Sequence, residues 1–156
     1  MLKKMGQRLK NERGLTLIEL LAVVVILGII AAIAIPSIGG LINNSKKDAH
    51  IANAQQMVSG ARLAVTADSN TTGNIKMADL ITNGYLEEFD NPSDGSGYDK
   101  DKSVVTVTKN AGTGNYSYSV TLVGSGGGTH LNGNPDDIER STVVLNPSDA
   151  DKESDD

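Results

Sequence analysis

One carboxylate near the start of a long apolar run constrains this chain more than any other feature. Residues 15–35, LTLIELLAVVVILGIIAAIAI, hold only apolar or small side chains apart from Thr16 and Glu19. As a helix rising about 1.5 Å per residue, the run reaches roughly 30 Å, the thickness of a bilayer's hydrocarbon core. A charged group in such a segment costs about 2.5–3.5 kcal/mol near mid-membrane and less toward the edge. An ionisable group kept at that cost usually has a partner, which makes Glu19 a candidate functional residue.

Two plainer readings of the run meet difficulties. A secretory signal peptide has a basic start, a shorter apolar core and a small-residue cleavage site, which Ala32-Ile33-Ala34 superficially supplies. The excess length and the acid at residue 19 argue against it. A simple single-pass anchor fits the length but gives Glu19 no role.

The string Gly14-Leu15-Thr16-Leu17-Ile18-Glu19-Leu20-Leu21, followed by further apolar sequence and Ile35-Pro36, resembles the N-terminus of type IV pilins and pseudopilins. The match spans residues 1 to about 65 and is specific over about 14–36. It implies that a prepilin peptidase cuts between Gly14 and Leu15 and methylates the new Leu15 amine. Leu15 stands where the family most often has Phe. The resemblance also implies an α+β fold, with a long hydrophobic helix packed on a small antiparallel sheet. It gives Glu19 an assembly role against the Leu15 amine of a neighbouring subunit. The remaining implied partners are further copies of the chain in a helical filament, an assembly ATPase with its membrane platform, and the membrane before assembly.

The charge pattern agrees. Lys3, Lys4, Arg8, Lys10 and Arg13 against Glu12 give the leader, residues 1–14, a net +4, so the formal −5 of the whole chain leaves −9 for the remainder. Basic residues beside an apolar span stay cytoplasmic, so the expected orientation is N-in, with the body outside. An acidic body repels phosphates, and no direct nucleic-acid binding is expected.

Five segments are expected: the leader at 1–14, a transmembrane or filament-core half-helix at 15–36, an amphipathic half-helix at 37–68, a globular sheet domain at 69–147 and an acidic disordered tail at 148–156. Ile38, Leu41 and Ile42, then Ala49 and Ala52, continue the apolar face. Ile51, Ala54, Val58, Ala61 and Val65 then recur at helical spacing. Pro36 lacks an N–H and crowds the carbonyl of Ala32, which predicts a kink or local unwinding. By resemblance, the stretch between Gly28 and Pro36 is where the helix melts on assembly.

Beyond residue 68, residues 77–83 read as a short helix closed by Gly84. Residues 103–108 and 116–122 read as strands joined by a hairpin at 110–115, with a flexible loop at 124–128 and a third strand at 141–145. With no Trp, one Phe and four Tyr, the core must be small and aliphatic. No Cys is present, so the body relies on packing, ions or neighbouring subunits. This also removes the C-terminal disulfide loop of many Gram-negative pilins and fits a Gram-positive source.

The pattern does not suggest an enzyme. His50 and His130, the only histidines, lack companions at metal-ligand spacing and read as solvated surface residues. Asp90, Asp94, Asp99 and Asp101 crowd one loop as weak Ca²⁺ candidates. Asp90, Asp94, Gly95 and Asp101 fit positions 1, 5, 6 and 12 of an EF-hand count, which Pro92 and the Asp at position 12 spoil. Major pseudopilins of secretion systems resemble this in using Ca²⁺, but a solvated acidic turn is the simpler reading. Three functions fit: the structural subunit of a type IV pilus, a pseudopilin of a competence DNA-uptake or type II secretion machine, or a membrane-anchored binding domain that never polymerises.

Overall fold

The structure, a computed structural model, describes residues 2–147, with side chains from Thr16 onward. The expected acidic tail, 148–156, lies outside the described residues. Helix α1 spans Leu2–Ala67, and the chain divides into two compact units between Ile42 and Asn43.

The first unit contains the apolar part of α1. Its Leu, Ile and Val side chains from Leu17 to Ile42 are 50–72% exposed. The segment is long and apolar enough to cross a membrane, and none of its most hydrophobic window is buried within the chain. Such a surface needs lipid or other helices around it. The helix runs unbroken through Pro36, so the local unwinding expected there is absent. Proline removes a single i→i−4 hydrogen bond, and the bonds on either side keep the turn helical. The same continuity holds through Gly39 and Gly40.

The second unit is an α+β body, in which the outer part of α1 covers one face of a four-stranded antiparallel sheet in the order β1-β2-β3-β4. The strands are β1 Gly73–Lys76, β2 Val104–Lys109, β3 Tyr116–Val123 and β4 Thr129–Gly133. Helix α2, Met77–Thr82, buries Met77 and Leu80. Beyond it Gly84 takes φ +75, a left-handed value suited to glycine, and Tyr85 N–H bonds the Leu80 carbonyl at 2.9 Å.

One apolar cluster joins helix and sheet. Ala54, Val58, Ala61 and Val65 are buried against Val105, Val107, Val120 and Leu122, with Tyr116 and Tyr118 packed beside them. Register explains the shared face: Val105 pairs with Val120, Val107 with Tyr118, and Leu122 with Leu131. Met57 and His50 complete the buried helix stripe, whereas Ala52 is exposed. The opposite sheet face is polar, with Thr106 bonded to Asn74 at 2.8 Å and Thr121 to Asn132 at 3.2 Å. An antiparallel sheet with one wet face takes this alternation.

One strand expectation is corrected. Residues 141–145 are not a strand; Arg140–Thr142 is a 3-10 turn, and only Val143 among the three apolar residues that follow it is buried. The sheet gains its outer strands elsewhere, at β1 and β4. Residues 124–128 form a closed turn, with Gly124 N–H on the Gly128 carbonyl at 2.9 Å and Gly127 at φ +90.

Candidate functional sites

The N-terminal candidates lie together on α1. Gly14 and Leu15 are helical, and Glu19 and Pro36 are exposed. Four helical residues advance about 6 Å, so Glu19 sits one turn from Leu15, close enough for a carboxylate to meet an amine after cleavage. Around Glu19, Leu17, Ile18, Leu20 and Leu21 are 62–68% exposed. A charge in this unburied apolar surface has every reason to pair once lipid or neighbouring helices cover it.

In the outer body, both histidines overturn the expectation of solvated side chains. His50 is 0% and His130 3% exposed. Their rings stack with centroids 4.5 Å apart, and the Tyr98 ring meets both edge-on. His50 falls four residues before Ala54, on the core stripe of α1. His130 arrives through a β-bulge: Leu122 pairs with Leu131 and Val123 with Thr129, leaving His130 as the extra residue. The Ser103 hydroxyl heals the disturbed ladder, accepting Val123 N–H at 3.0 Å and donating to the Val123 carbonyl at 3.2 Å.

The hydrogen bonds assign the tautomers. His130 Nδ1 faces the Val144 carbonyl at 2.8 Å and must donate to it, which leaves Nε2 to accept from Asn91 Nδ2 at 3.0 Å. The Asn91 orientation is fixed independently, because its Oδ1 accepts Ser93 N–H at 2.9 Å. His50 Nδ1 lies 2.6 Å from the Tyr98 hydroxyl, and its Nε2 lies 2.9 Å from Ser93 Oγ. Asn53 Nδ2 donates to the Tyr98 oxygen at 3.3 Å. The pairing that leaves no buried donor unmatched has Tyr98 O–H donating to Nδ1 and Nε2–H donating to Ser93, which is only partly buried. That is the reverse of what an activated serine needs, so Ser93 and His50 do not form a nucleophile–base pair.

Burial, reinforced by His130 nearby, pushes His50 down to about 4, and burial pushes Tyr98 up to about 12. Both are therefore neutral at physiological pH. Among the described residues no buried side-chain nitrogen or oxygen of this body lacks a partner.

The acidic loop engages its own backbone and nearby lysines. Asp94 accepts from Ser96 N–H and Oγ at 3.0 and 2.8 Å, which holds its carboxyl below the usual range. Asp99 accepts the N–H groups of Asp101 and Lys102, and Asp101 meets Lys76 at 3.3 Å. The Asp90 carbonyl accepts from Asn53. Among the described residues no three His, Cys, Asp or Glu side chains form a metal-ligand group.

Against this geometry, residues 9–35 match the family model of the prokaryotic N-terminal methylation motif, the signature of the prepilin-type segment of type IV pilins and pseudopilins. That segment contains Gly14, Leu15 and Glu19, and it supports a structural subunit of the pilin or pseudopilin class. No curated protein and no solved structure gives a match.

Proposed function

We propose that this chain is a major-pilin-like structural subunit that polymerises through its N-terminal helix into a type IV pilus. The observation that carries this reading is Glu19 within an exposed apolar helix, inside the matched methylation motif. In the proposed sequence of events, the basic leader holds the N-terminus in the cytoplasm and the acidic body faces outward. A prepilin peptidase removes residues 1–14 and methylates Leu15. An assembly ATPase and its membrane platform then draw the helix from lipid into a bundle of copies. There each Glu19 meets the Leu15 amine of a neighbour, and the body forms the outer surface.

The ion pair would act mainly on register. Two charges withdrawn from water repay little net energy, but an unpaired one is strongly penalised. An otherwise uniform apolar helix slides along its neighbours at small cost. One charge pair per contact selects a single axial position. The absence of cysteine supports a Gram-positive cell as the source.

Immuno-electron microscopy of the native cell, with antibody to residues 77–156, tests the proposal. Long labelled surface fibres are expected. Short or absent fibres would replace this reading with that of a pseudopilin in a competence or type II secretion machine.

A further inference from the structure

We propose that the His50–His130 stack is an acid-operated clasp: neutral, it fastens the 90–98 loop and the 140–147 segment to α1, and a proton taken up by either ring releases them. The inference is independent of the pilus reading, since every participating group lies in the outer body.

The argument rests on donor and acceptor saturation. In the neutral pair each ring has one N–H and one bare nitrogen, and all four positions are matched. Protonating His130 would place a new Nε2–H against the Asn91 amide N–H₂. Asn91 cannot turn to offer its oxygen without abandoning Ser93 N–H. Protonating His50 would place Nδ1–H against Tyr98 O–H. That hydroxyl could reverse only by leaving its own proton without its present acceptor, in a buried site. The network therefore accommodates the uncharged rings and conflicts with either cation. Stacking at 4.5 Å sets any charge directly against the other imidazole.

The stack joins four pieces of chain: α1 through His50, the loop through Asn91, Ser93 and Tyr98, β4 through His130, and the C-terminal segment through Val144. The charged groups around it divide. From α1, Lys46 opposes a proton on His50 while donating to the Ser93 carbonyl at 3.2 Å. From the loop, Asp94 favours that proton, but its carboxylate is already committed to Ser96. Asp48 of α1 is occupied by Arg140 of the C-terminal segment. Asp90 of the loop presents its backbone carbonyl to Asn53. Within β4 itself, Thr129–Gly133, His130 is the only titratable residue.

The sign follows from the depressed His50 value. Unfolded His50 takes a proton near 6.5, whereas the folded site resists until about 4. The unfolded or opened state thus binds more protons between those values. The clasp is fully effective above pH 6.5 and weakens as pH falls through that window.

The test uses full-length protein in detergent micelles. Imidazole nitrogen NMR at neutral pH is expected to show His130 as the Nδ1–H tautomer and His50 as the Nε2–H tautomer. On lowering pH from 6.5 to 4, amide signals from 90–98 and 140–147 should change together, and a brief protease pulse should begin to cut those segments. The thermal midpoint should fall over the same window. In the paired variant His50→Gln/His130→Gln that fall should be much smaller. His50 titrating near 6.5 with both segments unmoved would overturn the clasp, as would a folded paired variant with the wild-type pH slope. Should the variant not fold, the wild-type titration and protease pulse decide alone.

Discussion

Arg140 forks onto Asp48 across 92 residues of sequence, its Nη2 donating to Oδ2 at 2.7 Å while Nε donates to Oδ1. Beside this pair, Lys47 reaches the Arg140 carbonyl at 3.0 Å. The Arg140 hydrogen bond holds the Asp48 carboxyl below its usual range, so the pair's contribution is present above that range and fades as pH falls through the folded-state value. Both side chains are solvent-exposed, which limits what the pair adds.

Arg140→Ala should therefore lower the thermal midpoint of the protein in micelles less than a core substitution does. High salt should narrow the difference from wild type, because exposed charges are screened. Calorimetry at low and high salt measures it, and a deficit that persists undiminished in high salt would point to lost packing instead.

Val58 is 2% exposed in the cluster that joins α1 to the sheet. Val58→Asp places an unpaired carboxylate there and should cost more than about 3 kcal/mol, a large fraction of a small body's stability. Denaturant unfolding followed by the tyrosine signal measures this. An unchanged midpoint would mean that the helix does not cover the sheet as described.

Gly60 explains a second close approach. A Cβ at this position would meet the Tyr85 carbonyl oxygen at 2.8 Å, a backbone atom that cannot swing aside. Helix propensity alone would favour Ala by about 1 kcal/mol. Gly60→Ala should nevertheless destabilise the body in the same unfolding assay, and a raised midpoint would show that the 84–86 segment yields easily.

The fold was legible where one period dominates the sequence. Ala54, Val58, Ala61 and Val65 mark the core stripe, and Tyr116, Tyr118, Val120 and Leu122 mark the inner face of β3. His50 lies on that same stripe, so its burial had a positional signal that its polarity obscured. His130 had none, because a bulge admits it and alternation cannot register an extra residue. Strand β1 has only Ile75 as an inward apolar side chain; its pairing with β2 defines it rather than its own pattern. The Val143-Val144-Leu145 run imitates a strand, yet a turn precedes it and only Val143 is buried. Of the candidate sites, Gly14, Leu15 and Glu19 were readable as a motif, whereas the histidine network depends on tertiary contacts that no local spacing encodes.

Glu19→Ala removes the acid from the apolar segment and makes it more hydrophobic. Membrane insertion and leader removal should be unchanged, while incorporation into filaments should be abolished or severely reduced. Cell fractionation with sheared-filament yield separates the two effects. Wild-type filament built only from Glu19→Ala subunits would remove the register role assigned to the carboxylate.

Mass spectrometry of the protein from its native membrane addresses the central claim most directly. The expected product lacks residues 1–14 and begins at an N-methylated Leu15, consistent with a peptidase that must approach the backbone at Gly14, where no Cβ obstructs it. A product beginning at Ile35, cut after Ala34, would contradict the account and identify the apolar run as a secretory signal.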